Sequence, residues 1–183
     1  MRKLVLASFL GVALIATIAA TAAVAHNDNG KGQARLDSYQ ETPLTLSTTG
    51  TGSFKIRLRS DGIHYVLRYK DLSADAIQAH IHLGARGLSG GVIAFLCGPQ
   101  PAAGDKPTCP TRSGTVEGVI DMADITNGAA GQGIAAGELR ETIKALRRGA
   151  VYANVHTTAF TGGEIRGQVG GVDNKDRGGH KKR

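Results

Sequence analysis

The sequence predicts an all-β fold, an antiparallel Greek-key β-sandwich with one short helix. Three observations carry that prediction. Short runs alternate apolar and polar residues, as a half-buried strand does with its side-chain period of two. Glycine and Asp-Gly turn signals separate those runs at short intervals. The composition is poor in aromatics, at 4% with no Trp, and rich in glycine, with 26 among 183 residues. That mixture suits a small Val/Ile/Leu/Ala core with many turns, in a chain long enough to bury a real core without metal staples.

In chain order, residues 1–25 read as a secretory signal. Arg2 and Lys3 form the charged start, Leu4–Ala20 the apolar stretch and Ala23-Val24-Ala25 the cleavage site. The apolar part is short for a membrane span, and no charged stop-transfer run follows it. His26–Arg35 is polar and glycine-rich and reads as a flexible N-terminal arm. A mature N-terminal His26 can bind copper only with a second His nearby, so the arm is read as plain linker.

Ordered structure is expected from Leu36. Gly52–Arg59 places Phe54, Ile56 and Leu58 inward and Lys55, Arg57 and Arg59 outward. Asp61-Gly62 signals a hairpin, and Ile63–Lys70 is the return strand, with His64 on its outer face. Ile77–Gly84 alternates next, Val92–Cys97 reads as a buried strand, and Gly114–Ile120 as another. Gly137–Arg148 is the helix: Leu139, Ile143 and Leu146 recur at helical spacing, acids come early, bases late, and Gly149 caps it. Ala150–Thr157 and Glu164–Val169 are the last two strands. Residues 170–183 are expected to form a disordered basic tail.

The formal net charge is +7. Removing Arg2 and Lys3 leaves +5, of which the tail carries +3, so the folded part is near +2. The basicity reads as terminal, with no basic face and no stacking aromatics, which argues against nucleic-acid binding. The tail is a candidate contact for an anionic envelope polymer.

Three sets of residues suggest roles. In Ile77–Gly84, alternation puts His80 and His82 on one face, roughly 7 Å apart along the strand. His156 lies on a second alternating run. Neutral imidazoles are good ligands for copper or zinc, and three of them leave an open position. The alternative is that these histidines only hydrogen-bond backbone. Cys97 and Cys109 flank a Gly/Pro-rich loop and read as a disulfide in an oxidising compartment. Glu41 or Glu164 is expected to pair with Arg166, locking the first and last strands. Gly87-Leu88-Ser89-Gly90-Gly91 has the Gly-x-Ser-x-Gly spelling but lies in a turn that leads to a strand and not into a helix, so a non-enzymatic role is the default.

Three segments carry a resemblance: Tyr39-Gln-Glu-Thr-Pro43, Ala79-His-Ile-His-Leu-Gly84, and Tyr152-Ala-Asn-Val-His-Thr157 followed by Gly162-Gly-Glu-Ile-Arg-Gly-Gln-Val169. In this order they resemble a CHRD (chordin-type) domain, over residues 36–169. The resemblance implies an exported, secreted or periplasmic β-domain; glycine-rich loops on a rigid sandwich suit a binding or structural module, with an extracellular protein as one class of partner. It implies no particular reaction. The layout is also similar to copper/zinc superoxide dismutase, another β-sandwich with a His-x-His strand and a late Val-His. On that alternative the domain is a copper- or zinc-binding protein with a redox or metal-handling role, and His64 would have to serve as a fourth ligand.

Overall fold

The computed structural model describes residues 30–170 and Val172. The expected signal, the first residues of the arm and nearly all of the tail lie outside the described residues.

Eight strands form one antiparallel sheet: β1 (Lys31–Asp37), β2 (Thr51–Arg59), β3 (Gly62–Lys70), β4 (Ala76–Leu83), β5 (Val92–Cys97), β6 (Gly114–Ile120), β7 (Val151–Thr157) and β8 (Ile165–Gln168). Their order across the sheet is β5-β4-β7-β8-β1-β2-β3-β6. The sheet curls on itself until its two ends meet, and the Tyr65 hydroxyl of β3 donates to the Leu96 carbonyl of β5 at 2.7 Å. The result is close to a closed barrel or sandwich around one core, filled by Phe54, Leu58, Tyr65, Ile81, Leu96 and Ile165. One helix, α1 (Leu139–Arg147), lays Ile143 and Leu146 on that core. Gly149, at φ 67°, ends it in the left-handed conformation that favours glycine.

Most of the strands follow the alternation in the sequence. In β2 and β3 the inward residues Phe54, Ile56, Leu58, Ile63, Tyr65 and Leu67 are buried, and Lys55, Arg57, Arg59 and Arg68 are exposed. The hairpin between them pairs Arg59 with Gly62, so its two-residue loop is Ser60-Asp61, one residue earlier than the Asp61-Gly62 signal suggests.

The N-terminal arm needs correction. Lys31–Arg35 is most of β1, and all seven residues of β1 pair with β2. The inward positions of this strand start with glycines, which hides the apolar stripe. Gly30 and Gly32 are packed too tightly for side chains: a Cβ on Gly30 would lie 2.2 Å from Val172. Ala34 and Leu36 then continue the buried face.

Cys97 and Cys109 form the expected disulfide, which pins the loop between β5 and β6. A loop of this size stabilises the fold by about 3 kcal/mol, chiefly by restricting the unfolded chain. Replacing both cysteines with Ser is therefore expected to lower the melting temperature by roughly 6–12 °C. Thermal unfolding followed by circular dichroism checks this; an unchanged melt would show that the loop is held by other contacts.

Candidate metal centre

Strands β4 and β7 are neighbours, with Gln78 opposite His156, His80 opposite Asn154 and His82 opposite Tyr152. Residues directly opposite share a face, so His80, His82, Tyr152, Asn154 and His156 all project from one side. Ala79, Ile81, Ala153 and Val155 fill the core on the other side. Asn154 in turn faces Arg166 of β8, which extends this polar stripe to a third strand.

An outward sheet face is ordinarily wet, but this one is covered. His80, His82 and His156 are 4%, 7% and 7% exposed. Backbone from two loops comes down on them. The Gly90 carbonyl accepts from His82 Nδ1 at 3.0 Å, and the Thr161 carbonyl accepts from His156 Nδ1 at 2.9 Å. A carbonyl only accepts, so each Nδ1 carries the proton and each Nε2 keeps its lone pair, which is unpartnered on His82 and faces His80 Nδ1 on His156. A backbone carbonyl on the far nitrogen is the usual partner of a metal-binding histidine, because it fixes tautomer and ring orientation.

The rings converge. His80 Nδ1 lies 3.2 Å from His156 Nε2, and one nitrogen from each of the three rings lies within 4.8 Å of the others. Nitrogens that share a tetrahedral zinc sit about 3.3 Å apart, so the first pair is already at ligand spacing. Asn154 Oδ1 lies 3.1 Å from His156 Nε2; with the proton on Nδ1 both atoms are acceptors, so this contact leaves the Nε2 lone pair available. His80 Nε2 and His82 Nε2 are buried with no hydrogen-bond partner. Among the described residues no other such group of three is formed. His64 does not join it: Asp61 holds that ring at 2.8 Å on β3. The fourth ligand that the dismutase layout would need from His64 is thus not at the cluster.

Aromatic rings and a cation wall the site. Tyr152 stacks on His82, with centroids 4.7 Å apart and planes 5° from parallel. The Arg166 guanidinium lies over the other face of Tyr152, 3.5 Å from its centroid. Phe95 meets His80 edge to face at 4.4 Å. Burial, reinforced by the two neighbouring imidazoles, pulls His80 down to about 2. Burial also pulls His82 down to about 4, against the Gly90 carbonyl, and lowers His156 against the Thr161 carbonyl. All three rings are neutral at neutral pH, which is the ligand form.

The family model for the CHRD domain matches residues 32–169, which is most of the chain. The chain belongs to the CHRD domain family. Its match begins inside β1, in agreement with the strand at the place of the expected arm. No curated protein and no solved structure matches the chain significantly.

Within this CHRD domain the expected ion pair from Arg166 to Glu41 or Glu164 is not formed. Glu164 sits in the bend before β8 and turns away, accepting from the Ser73 backbone N–H at 2.8 Å. Arg166, 2% exposed, spends its donors on the Leu88 carbonyl at 2.7 Å, the Ala85 carbonyl at 3.4 Å and the Thr42 hydroxyl. It thereby ties two loops over the polar stripe. Glu41 feels the Arg166 charge at longer range, yet burial dominates and raises its carboxyl to about 7. Gly163 makes room for that carboxyl: a Cβ there would lie within 2.9 Å of both Glu41 oxygens and of Asn154 Nδ2. Tyr152 and Asn154 are legible on the histidine face from alternation, whereas the covering carbonyls of Gly90 and Thr161 carry no sequence signal.

Two predictions come from this geometry. Replacing Arg166 with Met removes the guanidinium from Tyr152 and leaves buried acceptors unpaired, at a cost of about 2–4 kcal/mol. A denaturant melt checks this, and an unchanged midpoint would contradict the tie. The second concerns acid. Each histidine binds a proton near 6.5 when unfolded and far lower when folded, so between those values only the unfolded chain takes up protons. The metal-free protein therefore loses stability as pH falls below about 6.5. Glu41, raised in the fold, works the other way and offsets one histidine. His82→Gln is expected to flatten the loss between pH 6.5 and 4 by up to about 1.4 kcal/mol per pH unit. Parallel pH profiles of the two proteins would contradict this assignment.

Proposed function

We propose that this CHRD domain is an extracytoplasmic metal-binding module, with Cu(II) or Zn(II) held by His80, His82 and His156. The observation that carries the reading is the convergence of one nitrogen from each of three buried imidazoles within 4.8 Å, with His82 Nε2 buried and unpartnered among them. A histidine kept only for hydrogen bonding has no reason to leave a buried nitrogen orphaned, because that costs about 1–3 kcal/mol per group. A bound ion between the rings satisfies His82 Nε2.

The donor set narrows the ion. Three neutral imidazoles suit copper and zinc, whereas calcium and magnesium want oxygen ligands. Copper is expected to bind more tightly than zinc on the general order of divalent affinities. A tetrahedral ion bound this way keeps one position for water or another ligand. The disulfide between Cys97 and Cys109 fits an oxidising compartment, where export would place the domain. Holding a metal, alone or at a contact with another extracellular protein, is the role supported here; a reaction at the metal is not required.

Isothermal titration of the metal-free protein with CuCl2 and ZnCl2 tests this. One ion per chain is expected, with zinc at a hundredfold excess over its dissociation constant raising stability by about 2.7 kcal/mol. His82→Gln and His156→Gln, each melted alone to confirm folding, are expected to weaken binding at least tenfold. Equal, weak binding by the unaltered protein and both variants would overturn the reading.

A further inference from the structure

The other half of the sheet carries a feature that is independent of the histidines. The tally of charge along the chain leaves the folded part near neutral with no basic face, and the structure corrects this. Lys31 and Arg35 on β1, Lys55, Arg57 and Arg59 on β2 and Arg68 on β3 all point outward from adjacent strands and are exposed. Lys31 stands directly opposite Arg57. The cations are gathered here because each of these strands buries its apolar face and places its bases on the alternate positions.

None of the six makes an ion pair among the described residues. The carboxylates nearby are few. Glu117 on β6 lies opposite Val66, and Asp61 at the hairpin tip is taken by His64. Like charges directly opposite across strands destabilise a sheet, so this arrangement costs the isolated fold stability. A cavity of about 910 Å³ opens on the same face, lined by Lys31, Lys55, Arg57 and Arg59 among others.

We infer that this face binds a linear anionic polysaccharide, with carboxylate or sulfate groups on successive sugars, laid along β2. Lys55, Arg57 and Arg59 repeat every second residue, about 7 Å apart, and give such a chain a row of cations, with Lys31 and Arg35 beside it. Flexible side chains on a rigid sheet suit a repeating ligand without fixed register. A lipid bilayer fits less well, because the large exposed hydrophobic side chains, Tyr39, Leu44, Leu88 and Met122, all lie outside these strands. Single-stranded nucleic acid would want stacking aromatics, and the outward positions of these strands hold none.

The test uses the full chain and a fluorescently labelled heparin decasaccharide, read by anisotropy. Binding is expected at about 50 mM salt and is expected to weaken steeply by about 300 mM. Lys55→Gln/Arg57→Gln/Arg59→Gln is expected to lose about tenfold or more in affinity, with its melting temperature unchanged or higher as repulsion is relieved. Lys181→Gln/Lys182→Gln/Arg183→Gln is expected to change affinity less than twofold, and His82→Gln not at all. The inference is overturned if the face variant binds as tightly as the original. Loss of binding in the tail variant instead would also overturn it. So would binding to phosphatidylglycerol vesicles without binding to the decasaccharide.

Discussion

The candidate site depends on a stack of three side chains, Arg166 over Tyr152 over His82. Each member comes from a different strand of the β4-β7-β8 set, so the stack reports the register of both strand pairs at once. A guanidinium that is almost wholly buried must find acceptors, and no carboxylate among the described residues pairs with it. It finds loop carbonyls and a hydroxyl instead, and so draws the segments around Thr42 and Ala85–Leu88 over the sheet. Together with the backbone at Gly90 and Thr161, those segments cover the outer face. Burial keeps the imidazoles neutral and leaves two ring nitrogens with nothing to bond to. A cation on the face of a desolvated aromatic ring contributes on the order of 2 kcal/mol. The same group therefore closes the site and helps to hold it closed.

The one sheet serves two surfaces that differ in what covers them. Over β4, β7 and β8, loops bury a polar stripe and give it a chemical identity. Over β1, β2, β3 and β6 no loop among the described residues closes the face, and the outward positions carry exposed lysines and arginines. Both follow from the same alternation of residues, and the difference lies in loop length and in the one arginine that reaches back to the loops. Glu41 belongs to the first surface. Its carboxyl is raised because it is buried, and the nearby guanidinium only partly offsets that.

Much of this was legible in the sequence where period two was clean. Residues 52–59, 63–70 and 92–97 could be assigned to strands because apolar and polar residues keep strict places there or run unbroken between turns. His80, His82 and His156 could be put on outward faces for the same reason. What alternation could not say was which strands would be neighbours, and hence whether His156 would reach the early pair. The first strand was hidden because Gly30 and Gly32 occupy its inward positions, where close packing against Val172 and Ile56 requires them. The Arg166 ion pair was misread because strand alternation was extended to Glu164, which lies in a bend and faces Ser73. The basic face was missed because net charge sums over the chain and ignores which side of a sheet each residue occupies.

The account stands on the three imidazoles holding a single ion. A crystal structure of the protein grown with Zn(II), with diffraction recorded on either side of the zinc edge, tests that most directly. The account predicts one strong anomalous peak about 2.0–2.1 Å from one nitrogen each of His80, His82 and His156. A map with no peak between those rings, or with zinc only at exposed groups such as His64, would contradict it.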